Sequence, residues 1–353
     1  MDTPEGKKSV TALAVVLAVA VTLLTPNASA AGASTSEAPT IGLKLVRRIV
    51  LAKPKGRIDQ VVPLPKGGFV LRDSDFDQER FQAVEVYAAT GRRLRQLGRF
   101  GQGPGSYYRL RAIGLSGGTI LVADVVGRVT LFSEQGAFLG TKLVQNPGYQ
   151  IDSIAVDEER GFFYLGGCLP TGIYVDRGCR LVHQYRLKDK RYRRSFLKSD
   201  PETISNGTTR WSDINIDTDP QGRVVAVDAP SFKLLRIDPL SGSEEVFPIR
   251  SQKVKPLDTL VEPNDAKRHY NRSALVERVI VVAPWVVVAV RRPKDAGFLL
   301  QIFDDQGRQV GIDLDPPGKL VGKSSAGGLL FASSTGTGWE IAEFSLVSTP
   351  PVP

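Results

Sequence analysis

Beyond residue 40 the chain alternates short apolar runs with polar turns, and it does so on a fixed plan. Gly68-Phe69-Val70-Leu71-Arg72-Asp73, Gly118-Thr119-Ile120-Leu121-Val122-Ala123-Asp124 and Gly161-Phe162-Phe163-Tyr164-Leu165 are three such runs. Gly222-Arg223-Val224-Val225-Ala226-Val227-Asp228, Trp285-Val286-Val287-Val288-Ala289-Val290 and Gly328-Leu329-Leu330-Phe331-Ala332 are three more. Each is short, β-branched or aromatic, and bounded by turn residues, as the second strand of a repeating unit. Alternating strands follow them. Val84-Glu85-Val86-Tyr87 leads to Thr90-Gly91, Val129-Thr130-Leu131-Phe132 to Gln135-Gly136, and Leu299-Leu300-Gln301-Ile302-Phe303 to Gln306-Gly307. Each glycine turn opens a fourth, more polar strand.

Repetition of this kind is the signature of a propeller. The pattern predicts an all-β, six-bladed β-propeller with four-stranded blades over residues 41–347, between a short linker (31–40) and a proline-rich tail (348–353). The last repeat lacks its fourth strand. Leu43 to Leu51 supplies it, so the N-terminal strand closes the last blade and leaves no open sheet edge. A β-sandwich would not explain six repeats of four strands. No stretch carries sustained helical periodicity; the best helical segment lies within Pro256 to Ala274, in a loop.

One segment carries a family likeness. Gly98-Arg99-Phe100-Gly101-Gln102-Gly103-Pro104-Gly105-Ser106-Tyr107 resembles the connection between blades in bacterial NHL-like six-bladed propellers. In that family the segment ends in an acidic residue and an aromatic; here Ser106 replaces the acid. Degenerate copies stand at Asn146-Pro147-Gly148-Tyr149 and Pro316-Pro317-Gly318. The resemblance implies a fold and leaves the function open, because such propellers host many roles.

The first 30 residues read as a secretory signal. Lys7 and Lys8 precede an apolar stretch from Val10 to Leu24, and Ala28-Ser29-Ala30 is a small-x-small cleavage site. The stretch is short of the roughly 20 residues a spanning helix needs. The expected mature protein starts at Ala31, is secreted or periplasmic, has no transmembrane span and is a monomer. Cys168 and Cys179 are expected to form a disulfide in that oxidising compartment. A zinc site shared by Cys179 and His183 fails on reach, since four strand residues span roughly 13 Å. The net charge is +9, and removal of residues 1–30 leaves it unchanged because Lys7 and Lys8 cancel Asp2 and Glu5. A basic surface is suited to an anionic envelope polymer. Specific nucleic-acid binding is not expected.

Propeller geometry puts the blade-to-blade loops and the loops between second and third strands on one face. Long insertions at 166–180, 198–210 and 250–272 all fall there, on what is termed the top face. Aligning the first strands places Asp59, Arg111, Asp152 and Ser212–Asp213 at similar depth at the channel mouth, with Arg72 and Trp211 beside them. These are the candidate ligand-binding residues; a structural ion-pair belt is the alternative. Asp73 to Glu79 departs from a calcium loop, with Gln78 and Val84 where glycine and the closing glutamate belong. The basic run Arg186 to Arg194, with Tyr185 and Tyr192, reads as protection of an edge strand. With two histidines in the chain, no nucleophile elbow and no phosphate-binding loop, no catalytic residue, metal site or cofactor is expected. The expectation is an exported, non-enzymatic propeller binding a ligand or protein on its top face. The alternatives are a hydrolase or lyase at the channel mouth and an envelope-associated binder of anionic polymer.

Overall fold

The computed structural model describes residues 40–52, 56–74, 82–143, 151–167, 180–198, 214–228, 232–255, 274–293, 296–336 and 338–349. Its first strand, β1 (Thr40–Leu51), belongs to the last blade. Blade one is β2 (Arg57–Pro63), β3 (Phe69–Ser74), β4 (Ala83–Tyr87) and β5 (Arg93–Leu97). A short parallel pair, β6 (Arg99–Phe100) and β7 (Ser106–Tyr107), links it to blade two, which is β8 (Leu110–Ser116), β9 (Thr119–Asp124), β10 (Arg128–Ser133) and β11 (Phe138–Leu143).

Blade three comprises β12 (Ser153–Asp157), β13 (Phe162–Gly166), β14 (Arg180–Arg186) and β15 (Tyr192–Lys198). Blade four comprises β16 (Ile214–Thr218), β17 (Val224–Asp228), β18 (Lys233–Ile237) and β19 (Glu244–Pro248). Blade five comprises β20 (Leu275–Val282), β21 (Trp285–Arg291), β22 (Phe298–Phe303) and β23 (Gln309–Leu314). Blade six has three consecutive strands, β24 (Lys319–Lys323), β25 (Leu329–Thr335) and β26 (Gly338–Thr349), with β1 as the outer fourth, antiparallel to β26 from Thr40–Thr349 to Leu51–Trp339. The fold is therefore the all-β, six-bladed propeller with N-terminal closure that the repeats predict.

The core explains the continuous apolar second strands. Six buried clusters each lie between two consecutive blades, including one between blades six and one that joins Ile49 and Leu51 to Ile58, Leu71 and Tyr87. A blade inside a ring has neighbours on both faces, so runs such as Val286 to Val290 are buried residue after residue. Closure needs close backbone approach at one point. A Cβ added to Gly322 would sit 2.1 Å from the Val61 carbonyl oxygen, so only glycine lets β24 meet β2 there.

A local device recurs at three turns. Asp124, Asp219 and Asp304 each accept the backbone N–H of the residue four further on, Arg128, Arg223 or Arg308, at 3.0, 2.9 and 2.8 Å. The same arginines return an Nε–H to the second carboxylate oxygen at 2.7 Å in every case. Arg128 reaches further and donates to the carbonyls of Gln102 and Gly101 at 3.1 and 3.0 Å. It thereby fastens the Gly98–Tyr107 connection to blade two.

Candidate functional site

The inner strands carry the site, and β-bulges place its charges. The pairing of first with second strands slips between Ile58 and Gln60, Leu110 and Ala112, Val276 and Arg278, and Leu320 and Gly322. Each slip inserts one extra residue: Asp59, Arg111, Glu277 or Val321. A bulge re-aims side chains that strict alternation would send elsewhere. In blades one and five it brings a carboxylate to the top of the ring.

Asp59 is buried at 2% exposure, and three cations meet it. Lys319 lies 2.8 Å away, Arg57 3.2 Å and Arg72 3.7 Å. Burial alone would raise the Asp59 pKa; Arg72, Lys319 and Arg57 overcome that and hold it well below the usual carboxylate range. Glu277 repeats the arrangement, 3.4 Å from Arg291 and 3.8 Å from Lys319. Lys319 thus bridges the carboxylates of blades one and five. A cavity of about 520 Å³ opens over this network, bordered by Arg57, Glu277, Arg291, Phe298, Lys319 and Trp339. It offers cations, one carboxylate and two aromatic faces to an occupant.

A second cavity of about 400 Å³ occupies the central channel and is bordered by inner strands of all six blades. The Gln60 side chain crosses from blade one to blade two, donating to the Ile113 carbonyl at 2.7 Å and accepting the Ile113 N–H at 2.9 Å. Lys323 lies 2.8 Å from Asp217, and Asp217 also accepts the Val281 N–H at 2.8 Å. Arg278 donates to the carbonyls of Asp59 at 2.8 Å and Val321 at 3.5 Å. Burial, with the Arg72 charge, lowers its pKa to about 10, so it stays a cation at neutral pH.

The residues singled out in the sequence fall in different places. Asp59 and Arg72 meet in the ion-pair network, and Arg72 also donates to the Leu110 carbonyl at 3.3 Å. Arg111 occupies the bulge of blade two equivalent to Asp59, yet no ion pair among the described residues joins it to Asp59 or Asp152. Asp152 stands just before β12, where its N–H donates to the Gly166 carbonyl at 2.8 Å. Trp211 and Asp213 lie outside the described residues, as do Cys168, Cys179 and the Pro256 to Ser273 part of the segment read as helical. Five charged contributors escaped the sequence reading: Arg57, Glu277, Arg278, Arg291 and Lys319. Extending the first-strand alignment to Val276-Glu277-Arg278 would have set Glu277 level with Asp59.

Two other motifs resolve locally. Asp73, head of the calcium-like stretch, is buried and accepts the Gly56 N–H at 3.1 Å. The basic run from Arg186 to Arg194 spans the end of β14, a turn and the start of β15, so only part of it lies on the outer strand. Arg186 pairs with Asp189 at 2.6 Å inside that turn, and Arg194 stacks over Phe196. Among the described residues no three His, Cys, Asp or Glu side chains gather as a metal site would require. No helix among them is long and apolar enough to cross a membrane.

No family model and no curated protein matches the chain. Solved structures do. A protein of Bacteroides fragilis NCTC 9343 described as exported superposes with a TM-score of 0.58 at 11% identity, over 86% of this chain and 95% of its own. The structure of U3-55K gives 0.53 at 12% identity, over 84% and 98%. The RRP9 WD40 repeats give 0.52 at 12% identity, over 88% and 99%. At these identities the likeness is one of fold: the chain is a six-bladed β-propeller similar to both exported and WD40-type rings.

Proposed function

We propose that this chain is an exported, non-enzymatic propeller that binds a polar, acidic ligand or protein partner on its top face, at the rim over blades five, six and one. The observation that carries this reading is the Lys319 bridge. Four cations (Arg57, Arg72, Arg291 and Lys319) pair with two carboxylates, Asp59 and Glu277, beside an open cavity bordered by Trp339. Such a surface attracts negative charge, and Trp339 and Phe298 add apolar contact. The apolar segment and small-x-small site within residues 1–30 and the fold shared with the exported Bacteroides protein support an exported setting, in which Cys168 and Cys179 would pair as a disulfide.

The test is a thermal-shift screen of acidic and neutral sugars and of acidic peptides against the wild type and Arg57→Gln. Arg57 is half exposed and Asp59 keeps Lys319 and Arg72, so the substitution is expected to preserve the fold. Acidic compounds are expected to raise the wild-type melting temperature, and to do so less in the variant and at high salt. Equal shifts in both proteins would overturn the assignment to this rim. The net charge of +9 favours a second reading, attachment to anionic envelope polymer; that binding would weaken steeply with salt yet ignore Arg57→Gln.

A further inference from the structure

Much of the protein's net charge sits in one place. Arg186 to Arg194 holds six lysines and arginines against one acid, Asp189, which is more than half of the chain's +9. Guarding a sheet edge takes less: the outer strands of blades two, four and five (β11, β19 and β23) carry one lysine or none. The run is also accessible. Lys188, Arg191 and Arg193 are exposed. Asp189 reaches Arg191 only at 3.8 Å, and Lys188 and Arg193 enter no ion pair among the described residues. The acids that border the run are engaged. Glu244 accepts the Leu197 N–H at 3.1 Å, and Glu158 accepts the Gly117 N–H at 2.5 Å. Asp238, beside Arg194, accepts the Ser241 hydroxyl at 2.7 Å and the Leu240 N–H at 2.8 Å. With Glu159 of the adjoining turn set against the run, cations still outnumber acids six to two.

The turn between β14 and β15 puts a cation where its counterparts put none. In the equivalent turns of blades one, two, four and five, the residue just before the carbonyl that closes the hairpin is Gly91, Gly136, Gly242 or Gly307, with φ of 84°, 91°, 79° and 75°. Blade three places Lys190 there, at φ 58°. A side chain in this left-handed region carries a steric cost that glycine avoids, so the geometry of the turn does not account for the lysine. The Lys190 ammonium donates to the Leu187 carbonyl. Burial, opposed by Asp189 and assisted by the charge of Lys142, lowers its pKa. Lys142 lies in β11, so the basic run continues onto the outer strand of blade two.

We propose that the outer edge of blade three, from Lys142 through Lys188, Lys190 and Arg191 to Arg193, binds a linear acidic polysaccharide. Several cations in a strip suit a chain that repeats its negative charge, and the guanidinium fork matches a carboxylate's two oxygens. Tyr192 stands among them, 46% exposed, its ring edge-on to Tyr185 at 5.7 Å. One ring face serves a sugar. Single-stranded nucleic acid calls for several stacking platforms, and a bilayer for apolar side chains that insert. This surface rests on the polymer reading and is independent of the rim over blades five, six and one.

Polygalacturonate is the probe and its neutral methyl ester the control, with binding measured by calorimetry on the full mature chain over a series of salt concentrations. Saturable binding of polygalacturonate is expected, with the ester about tenfold weaker or more. The triple variant Lys188→Gln, Arg191→Gln, Arg193→Gln should bind about tenfold more weakly or worse, with a shallower salt dependence because fewer counterions are released. Lys190→Gly should weaken binding while its melting temperature holds or rises, an outcome that a purely structural lysine would not give. Arg57→Gln should change nothing here. Polymer binding that the triple variant retains in full would overturn the blade-three site alone. Equal binding of the ester, no binding by the wild type, or tighter binding to single-stranded DNA or to vesicles of anionic phospholipid would overturn the polysaccharide as partner.

Discussion

Lys319, at the start of the first strand of blade six, lies 2.8 Å from Asp59, in the first strand of blade one. The two residues are 260 positions apart, and their contact crosses the seam where the ring closes. Beneath them, Gly322 and Val61 bring the same two strands into backbone contact. The seam is thus held by a buried ion pair above and by steric fit below.

Asp59→Ala should destabilise the propeller by about 3 kcal/mol, because it leaves enclosed cations without their carboxylate. The urea midpoint measures this. The pH dependence follows from the depressed pKa. The folded value lies below the unfolded one, so the stabilisation is full above about pH 4 and is lost as pH falls further. Asp59→Asn should therefore flatten the acid limb of the stability curve below that point. Pairing Asp59→Leu with Lys319→Met should recover part of the lost stability, since apolar replacements avoid the cost of enclosed charge.

His183 gives the opposite end of the acid range. It is buried, with Nε2 3.1 Å from the carbonyls of Gly167 and Arg180 and Nδ1 2.6 Å from Ser195 Oγ. Two carbonyls require Nε2 to donate, so Nδ1 accepts from the serine hydroxyl. Burial lowers the pKa to about 4, against the opposing pull of the carbonyls. Between about pH 6.5 and 4 the unfolded chain takes up a proton that the native state refuses. Stability should fall by about 3 kcal/mol as pH drops through that window, with no further loss from this group below it. Melting temperatures from pH 7 to 4.5 should show a shallower slope in His183→Gln; an unchanged slope would exclude His183 as the source.

Gly322→Ala should cost about 3 kcal/mol, because the added Cβ meets a backbone oxygen that cannot rotate away. Gly103→Ala, whose Cβ would meet nothing within 4 Å, is the matched control and should change the unfolding midpoint little.

The architecture was legible in the sequence because a propeller repeats itself. Six second strands with the same apolar grammar and one missing outer strand left few alternatives, and the β1–β26 pairing follows from them. The site was only half legible. Asp59 and Arg72 stand out as charges beside apolar runs. Glu277 and Arg278 hide within Leu275-Val276-Glu277-Arg278-Val279, where two adjacent charges break the alternation and a bulge sends them to different cavities. Lys319 carries no local signal at all; its meaning arises only when blade six meets blade one. Arg111 shows the converse. It shares Asp59's register position without sharing its partners, because neighbouring blades set what a bulge can reach.

The pairing of β1 with β26 has a consequence for how the protein is made. A ribosome delivers Thr40 some 300 residues ahead of its partner Thr349, so β1 must wait through that synthesis before its sheet exists. Contacts so distant in sequence form slowly, and until then the inner blades expose the faces they will bury against one another.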